Sequence, residues 1–335
     1  METTDTLIVG AGPAGTTCAY LLRKAGVDCL LVDFATFPRE KVCGGGLTPK
    51  AYTLLAELMP GLHYDYRTVD TVHVGLDHKR LGTIELPQAI RVVSRKEFDY
   101  ALLRQYLEAG GQFRQEAFKA FEVQPDNGIV VEFRSGRKIL CRHLVAADGA
   151  NSRVRHQLLG RYDGNILCME QEIPTDSDAI EGMVSPRYDH GYYYLFPSVH
   201  GDVVGLGARG MTPQHFREVL ASLGIAETRF KGANIPVREV ESGMDQVMLI
   251  GDAGGFANKL SYEGLYYAVA TGRNAAEAVI KGLPFSVTNR DIFRRKRKEH
   301  LLAELFYSRT GMFLVRHFSS HTRLVRKIFV AGLGR

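Results

Sequence analysis

Residues 5–15 read DTLIVGAGPAG, an apolar run that leads directly into the glycine pattern of Gly10, Gly12 and Gly15. A helical pattern follows the glycines, and residues 27–33 (VDCLLVD) then have the composition of a buried parallel strand. Strand, glycine turn, helix and second strand make a βαβ unit of about 30 residues, the arrangement that binds dinucleotides. The sequence therefore predicts a Rossmann-like α/β domain. The alternative is a βαβ packing turn that holds no ligand.

Each residue of the glycine turn has a predicted role in dinucleotide binding. Gly10 makes the tight turn, Gly12 lets a pyrophosphate approach the backbone, and Gly15 lets the helix pack closely on the sheet. Pro13 and Ala14 open the helix, whose first N–H groups and positive dipole end attract phosphates.

An acid ends the second strand of this unit. Asp33 is placed to accept hydrogen bonds from a ribose diol, and an acid there disfavours a 2′-phosphate. NADP is therefore not expected in this pocket. Phe34 and Arg39 follow Asp33 closely and are also predicted to contact the cofactor.

The composition is that of a globular protein of 335 residues, 45% apolar and 24% charged, long enough for two interleaved domains. No stretch approaches the ~18 consecutive apolar residues of a transmembrane helix, and the N-terminus lacks the basic segment of a signal peptide. The five cysteines are widely spaced without a CxxC pair. This usage indicates a reduced cytoplasmic protein without a metal site.

Two later stretches, residues 142–158 and 246–280, also run from a strand into an aspartate beside a glycine and then into a helix. Asp148 and Gly149 occupy this position in the first, Gly251 and Asp252 in the second. Ligands bind at the carboxyl ends of strands in α/β sheets, so all four residues are predicted to bind the cofactor. The alternative is a helix N-cap, where aspartate is common without any ligand.

Together with the glycine turn, these two stretches resemble the three fingerprints of the p-hydroxybenzoate hydroxylase superfamily of FAD-dependent enzymes. The resemblance implies that FAD is the cofactor, that Asp252 holds its ribitol chain, and that the backbone of Gly255 and Phe256 approaches the flavin. A helix that begins near Glu263 would point its positive end at the flavin and stabilise negative charge on its reduced form.

Residues 92–103 (VVSRKEFDYALL) also resemble this superfamily. The resemblance implies that Arg95 reaches the FAD diphosphate. The alternative is a solvated cation at the start of a helix.

Within the superfamily, three stretches resemble the geranylgeranyl reductase branch: residues 41–47 (KVCGGGL), 191–198 (GYYYLFPS) and 251–268 (GDAGGFANKLSYEGLYYA). The second resembles the YxWxFP box of that branch, with tyrosine in place of the tryptophan. In the third, Lys259 replaces a usual proline and Tyr262 a usual glycine. The resemblance covers residues 1 to about 285 and indicates a short member of the family.

This resemblance implies a substrate site beside the flavin. Cys43 would face the substrate and relay a proton or shape the pocket, since a free thiol with a pKa near ~8.5 can act as an acid; the alternative is a small buried hydrophobe. Tyr192 and Tyr194 are the other predicted catalytic residues. The alternative is that their side chains only form part of the core of the sheet. Gly44 and Gly45 would lie against the flavin and leave the hydride path clear. The predicted substrate pocket comprises Gly46, Leu47, Phe196, Pro197, Tyr262 and Gly264.

The predicted FAD-binding domain is discontinuous, with residues 1–68, 95–160 and 240–285. Residues 69–94 and 161–239 alternate apolar and polar positions and are predicted to form an inserted antiparallel sheet, the substrate domain. Residues 212–224 have the pattern of a helix. Residues 286–335 are predicted to form basic C-terminal helices.

The resemblance favours reduction of C=C bonds in a hydrophobic, isoprenoid-like substrate. Hydroxylation by a flavin monooxygenase of the same fold is the alternative, and a non-catalytic flavoprotein is a third. Halogenation is disfavoured, because the tryptophan-containing boxes of flavin halogenases cannot occur in a chain without tryptophan. No second dinucleotide motif is present, so NAD(P)H would bind transiently, or a ferredoxin or separate reductase would supply the electrons.

The C-terminal segment is strongly basic. Residues 290–335 contain 12 Lys or Arg and 3 Asp or Glu, a net charge of +9, whereas residues 1–289 carry −4. Apolar residues recur at helical spacing between the cations. One interpretation is helices that pack this apolar stripe on the body of the protein. The other is an additional peripheral contact with an anionic membrane. Nucleic-acid binding is not expected, since no recognition motif accompanies the cations.

Overall fold

The βαβ unit forms as predicted in the computed structural model, which describes residues 1–318. β1 (Glu2–Val9) and β2 (Cys29–Asp33) pair in parallel, and α1 (Pro13–Lys24) connects them. All of β2 is buried, as its unbroken apolar pattern requires of a central parallel strand.

β1 and β2 belong to a sheet that contains seven strands within residues 1–318. β1 pairs in parallel with β9, and β9 pairs in parallel with β15 and antiparallel with β8. The order along the sheet is β6-β2-β1-β9-β8-β7, with β15 beside β9. The additional strands, numbered in chain order, are β6 (Gln112–Gln115), β7 (Phe118–Val123), β8 (Ile129–Phe133), β9 (Lys138–Ala146) and β15 (Val247–Leu249).

The predicted inserted sheet has eight strands in the described part of the chain, in the order β14-β10-β13-β12-β11-β4-β5-β3. Its strands are β3 (Gly46–Leu47), β4 (Arg67–Leu76), β5 (Lys79–Val92), β10 (Asn165–Ile173), β11 (Ile180–Val184), β12 (Tyr192–Ser198), β13 (Gly201–Ala208) and β14 (Lys231–Pro236).

The prediction of a purely antiparallel sheet is wrong at one pair, because β11 runs parallel to β4. These strands come from two separate segments of the chain, so no hairpin fixes their relative direction. β3 pairs with β5, so residues 46 and 47 extend this sheet, although the domain prediction gave them to the FAD-binding segment.

Helices pack on the two sheets, and the last three of them lie within residues 285–318. α5 lies within the predicted range 212–224 and begins with a capping box between Thr212 and His215. After α1, the helices are α2 (Pro49–Leu58), α3 (Arg95–Glu108), α4 (Arg153–Leu159), α5 (Pro213–Ser222), α6 (Leu265–Lys281), α7 (Phe285–Thr288), α8 (Arg290–Tyr307) and α9 (Arg309–Phe318).

α8 does not pack the apolar stripe that the sequence indicated. It buries Ile292 and Phe293 against the body, whereas Leu301, Leu302 and Leu305 are more than 60% exposed. The stripe predicted farther along, from Leu324 to Phe329, lies outside the described residues. No helix among residues 1–318 is long and apolar enough to cross a membrane.

α1 and α6 pack with their backbones in close contact. A Cβ atom on Gly272 of α6 would lie 2.4 Å from the carbonyl oxygen of Ala14. Only a glycine at 272 therefore allows α6 to support the N-terminus of α1.

We expect Gly272→Ala to lower the free energy of unfolding by about 1–3 kcal/mol, because the added methyl group must push the two helices apart. Urea titration measures this change. Gly182→Ala on β11 is the matched control, since a Cβ there meets no heavy atom within 4 Å. Equal stability of both variants would contradict the close-packing argument.

Candidate functional site

A cavity of about 720 Å³ is lined by residues of both sheets and is called the main cavity here. Its wall includes residues from all three predicted fingerprints and from the Cys43 loop (residues 43–46). The predicted residues that line it are Gly10, Gly12, Pro13, Ala14, Asp33, Phe34, Arg39, Cys43, Gly44, Gly45, Gly46, Arg95, Asp148, Gly149, Tyr192, Tyr194, Phe196, Asp252, Tyr262 and Gly264.

The glycine turn leaves the N-terminus of α1 uncovered. Gly10 adopts φ +109°, and Gly15 packs so closely that a Cβ would lie 1.9 Å from the Gly10 carbonyl oxygen. At Gly12 a Cβ would meet only Arg39 Nη2, at 3.5 Å. The space above Gly12 is therefore open, and a branched side chain would fill the cradle in which a pyrophosphate reaches the helix N–H groups.

Asp33 lies at the edge of the main cavity and is already partly used by the backbone. Its Oδ2 accepts a hydrogen bond from the Ala11 N–H at 2.7 Å, and its Oδ1 accepts one from the Ala35 N–H at 2.8 Å. Each carboxylate oxygen can accept more than one hydrogen bond, so Asp33 holds the glycine turn and retains capacity for a ribose diol.

Asp148 makes the contact of a helix cap and keeps one carboxylate oxygen for a ligand. Its Oδ2 accepts a hydrogen bond from the Arg153 N–H at 2.7 Å, as a helix cap does. Its Oδ1 has no hydrogen-bond partner among the described residues, and burial raises the pKa of the carboxyl group. This orphaned oxygen is what a cofactor hydroxyl or N–H group would satisfy.

Arg155 ties the second and third fingerprints together, which the sequence analysis missed. The buried guanidinium donates to the carbonyl oxygens of Asp252 at 3.0 Å and Ala253 at 2.8 Å, and also to that of Ala150. Its Cζ lies 3.9 Å from the centroid of the Tyr162 ring. The one signal for Arg155 in the sequence is its position shortly after the Asp148 turn.

Arg95 and Arg39 share one buried carboxylate, that of Asp99. Arg95 makes a two-pronged ion pair with Asp99 at 2.8 and 2.9 Å, and Arg39 approaches the same carboxylate at 3.1 Å. Burial by itself lowers the pKa of Arg95, but Asp99 keeps it above the ordinary value. Two cations on one anion leave a positive charge at the main cavity, which suits a diphosphate.

Six predicted contact residues do not line the main cavity, and one of them is Gly15, which packs against Gly10. Leu47 lies in the hydrophobic core, and Pro197 points away because side chains alternate along β12 and Phe196 faces inward. Phe256 is fully buried and packs on Phe293 of α8, with ring centroids 5.5 Å apart. Gly251 and Gly255, both with positive φ, shape the turn around Asp252 and do not line the wall either.

The three glycines of the Cys43 loop have a packing reason. Gly45 adopts φ +76°, and a Cβ there would lie 2.0 Å from the Val93 carbonyl oxygen. Cβ atoms on Gly44 and Gly46 would lie 3.2 and 3.0 Å from the Phe196 ring. Because these glycines have no side chains, the loop can lie directly against the backbone of Val93 and the ring of Phe196. The clear hydride path inferred from the sequence stays a prediction.

Cys43 is half-buried and joins a polar network that the sequence did not reveal. Its N–H donates to Glu170 Oε1 at 2.5 Å, and its Sγ accepts from the Gly45 N–H at 3.4 Å. The Tyr194 hydroxyl donates to Glu170 Oε2 at 2.9 Å and lies 3.2 Å from Cys168 Sγ. Burial raises the pKa values of Glu170, Tyr194 and Cys168, the last to about 12.

Aromatic rings form the wall beside this network. Tyr192 stacks on Tyr262 with ring centroids 4.9 Å apart, and Tyr194 meets Phe196 edge to face at 5.4 Å. The hydroxyl of Tyr192 donates to the Ser261 carbonyl oxygen at 2.7 Å. The rings are therefore fixed in place with their polar ends satisfied.

The N-terminus of α6 also reaches the main cavity, through its N-cap Gly264. The preceding Glu263 is buried. It accepts a hydrogen bond from the Thr48 hydroxyl at 2.5 Å and forms an ion pair with Lys50 at 2.7 Å. Burial raises the pKa of Glu263, and Lys50 opposes that shift. Neither Thr48 nor Lys50 was singled out from the sequence.

α8 is attached to the loop that precedes α6. The buried Lys296 of α8 donates to the Ala257 carbonyl oxygen, and Glu304 of α8 pairs with Lys259. Lys259 stands where the family box has a proline, so this ion pair depends on a departure from the family pattern.

We expect the purified protein to carry non-covalent FAD and Gly12→Val to lose it while the chain still folds. The branched side chain would occupy the open cradle above Gly12 without meeting backbone. Flavin absorbance after gel filtration measures occupancy, and circular dichroism checks the fold. Gly182→Val, placed in equally open space on β11, should keep FAD. If the purified wild type were colourless and gained no flavin absorbance from added FAD, the prediction that this cradle binds FAD would be refuted.

Two curated relatives share most of their length with this chain. Menaquinone reductase of Mycobacterium tuberculosis is 31% identical, with 82% of this chain and 76% of that protein covered. Geranylgeranyl diphosphate reductase of Rhodobacter capsulatus is 28% identical, with coverage of 82% and 75%.

Two solved structures have the same fold. A geranylgeranyl bacteriochlorophyll reductase-like protein from Thermoplasma acidophilum superposes with a TM-score of 0.71 at 19% identity, covering 100% of this chain and 92% of that one. PqsL, a probable FAD-dependent monooxygenase from Pseudomonas aeruginosa, gives 0.71 at 19%, with coverage of 92% and 98%.

The model of the FAD binding domain family matches residues 3–220. The match spans the glycine turn, the Cys43 loop and the Asp148 turn. The open cradle above Gly12 and the orphaned oxygen of Asp148 fit a dinucleotide. With FAD as its cofactor, this chain belongs to the geranylgeranyl reductase family of FAD-dependent oxidoreductases.

Proposed function

We propose that this protein reduces C=C bonds of a hydrophobic, isoprenoid-like substrate. One observation supports this most: the fixed aromatic wall of Tyr192, Tyr194, Phe196 and Tyr262 faces the same cavity as the Cys43 loop and the cofactor fingerprints. Flat, amphipathic rings suit an extended apolar chain. The relatives named as geranylgeranyl diphosphate reductase and menaquinone reductase also point to isoprenoid compounds.

When bound and reduced, FAD would supply a hydride to one carbon of the C=C bond, and the other carbon would take a proton. The protein must hold the alkene within ~3.5 Å of the reacting flavin atom. The aromatic wall would provide this orientation, and the Asp99-bound arginines would hold the cofactor's diphosphate.

The electron donor is proposed to be NAD(P)H, bound transiently, or a separate reductase or ferredoxin. Anaerobic reduction of the purified protein, followed by addition of polyprenyl compounds, tests the function directly. Reoxidation by an unsaturated compound with a saturated product supports the reductase. Reoxidation by O2 alone, with oxygen in the product, would instead establish the flavin monooxygenase.

Cys43 is expected to influence turnover without holding the fold. In Cys43→Ala and Cys43→Ser we expect retained FAD but slower turnover or a changed product distribution, because the residue lines the cavity beside the aromatic wall. A loss of about 10²–10⁴-fold would assign proton transfer to the thiol. Cys141→Ala, which removes a thiol from β9 outside the cavity, is the control. Unchanged rate and products would leave Cys43 a packing role.

A second proposal concerns α8, whose exposed face fits an anionic membrane surface. Arg294, Arg297 and Lys298 are exposed at one end of this face, and Leu301, Leu302 and Leu305 continue it at helical spacing. A basic and apolar face of this kind binds in the headgroup region of anionic lipid. Such a position would let an apolar substrate pass from the bilayer to the cavity.

We expect the protein to sediment with anionic liposomes at low salt, less as salt rises, and to lose binding in Arg294→Gln/Arg297→Gln/Lys298→Gln. The sequence indicated the whole run 294–298, but Lys296 is buried and Arg295 is engaged with Glu299, so both stay unchanged. Lys24→Gln/Lys79→Gln/Lys138→Gln removes equal charge elsewhere as a control. Identical sedimentation with neutral and anionic liposomes would refute the membrane contact.

A further inference from the structure

A second cavity, of about 370 Å³, lies behind the Cys43 loop and shares part of its wall with the main cavity. Lys96, His200 and Lys231 line it, and their side chains are 45%, 67% and 48% exposed, so it reaches the surface. Glu170 lines both cavities. Glu170 therefore lies between a space that opens to the surface and the aromatic one.

Glu170 has the contacts of a proton carrier. Its two oxygens accept from the Cys43 N–H and from the Tyr194 hydroxyl, and Tyr194 in turn lines the main cavity. The hydroxyl exists because this chain has tyrosine where the family box has tryptophan. A tryptophan ring would place no oxygen there, since its N–H can only donate.

We propose that Glu170 carries protons from the second cavity to Tyr194, whose hydroxyl delivers them to the substrate. The inference rests on the proposed C=C reduction. The substrate gains a hydride from the flavin and a proton from Tyr194. Tyr194 regains its proton from Glu170, and water in the second cavity restores Glu170. Each turnover consumes one external proton and one hydride equivalent, and the electron donor proposed above restores the hydride.

Burial allows Glu170 to hold its proton, although the neighbouring charges oppose this. Burial raises the pKa of its carboxyl group, and this outweighs the hydrogen bonds from Tyr194 and Cys43 and the positive charges of Lys41 and Arg95. Lys231 is opposite Glu170 in the register of β10 and β14, and Cys168 lies beyond Tyr194. Since its pKa is raised, Glu170 is more often protonated near neutral pH than an ordinary glutamate.

The test compares wild type with Glu170→Gln, which keeps the shape and an acceptor for the Cys43 N–H. We expect unchanged FAD content and flavin reduction by dithionite, but alkene-dependent reoxidation slower by about 10²-fold or more. In wild type this rate should fall as pH rises through the raised pKa, and the decline should be absent from Glu170→Gln. Glu85→Gln, an exposed glutamate on β5 outside both cavities, should match wild type.

A second readout does not depend on activity. A carboxyl group whose pKa is higher in the folded chain stabilises it fully below the unfolded pKa of about 4.3 and loses that effect as pH rises through the folded pKa. Wild type should therefore lose stability relative to Glu170→Gln as pH rises from about 4.3. Urea titrations at several pH values measure the difference, and Glu85→Gln should show no such trend.

The outcomes separate the relay from the proposed function. Wild type that reduces no alkene refutes the function, and the urea titrations then still decide whether Glu170 holds a proton. A pH-independent stability difference, or a normal rate and pH profile in Glu170→Gln, overturns the relay. Tyr194→Phe should keep the stability trend but slow alkene reduction. Normal turnover in that variant, with a large loss in Cys43→Ala, would overturn delivery through the tyrosine.

Discussion

The N-terminus of α1 must stay uncovered for a pyrophosphate to reach its N–H groups, and much of the structure serves that requirement. Gly10 and Gly15 bring helix and strand into contact, Gly272 lets α6 support the helix from behind, and Asp33 braces the turn through the Ala11 N–H. Each close approach depends on the others, because a helix displaced by even one methyl group would move the phosphate cradle. Two glycines of the first turn and a third near the end of the FAD-binding segment thus define one surface.

Charge around the cradle is arranged by buried carboxylates and arginines rather than by exposed ones. Asp99 holds Arg39 and Arg95 together, and Arg155 binds the backbone of two fingerprint turns. Removal of one partner from a buried ion pair strongly destabilises a protein, because the remaining charge is left without compensation. We therefore expect Asp99 to hold the two arginines in place before the cofactor's diphosphate binds.

The parts that the sequence predicted are those whose signals lie between neighbours in the chain. The βαβ unit, α5 and the strands of the second sheet follow from local periodicity and turn residues. Glu170, Asp99 and Arg155 could not be found in this way, since each acts on residues that only folding brings near. Leu47, Pro197 and Phe256 do not line the main cavity for another reason. A motif names consecutive residues, whereas the side chains of consecutive residues point in different directions. The parallel pair of β4 and β11 depends on how two distant segments meet.

The attachment of α8 to the loop before α6 has a thermodynamic consequence. Lys296 and Glu304 hold residues 257–259, next to the turn that carries Asp252. The position of that loop can differ between the FAD-bound and FAD-free protein. If it does, a surface that binds α8 more tightly in one of these states changes the affinity of the protein for FAD. FAD then changes the affinity of α8 for that surface by the same factor. In that case Lys259, which stands where the family has a proline, would couple α8 to FAD affinity through its ion pair with Glu304.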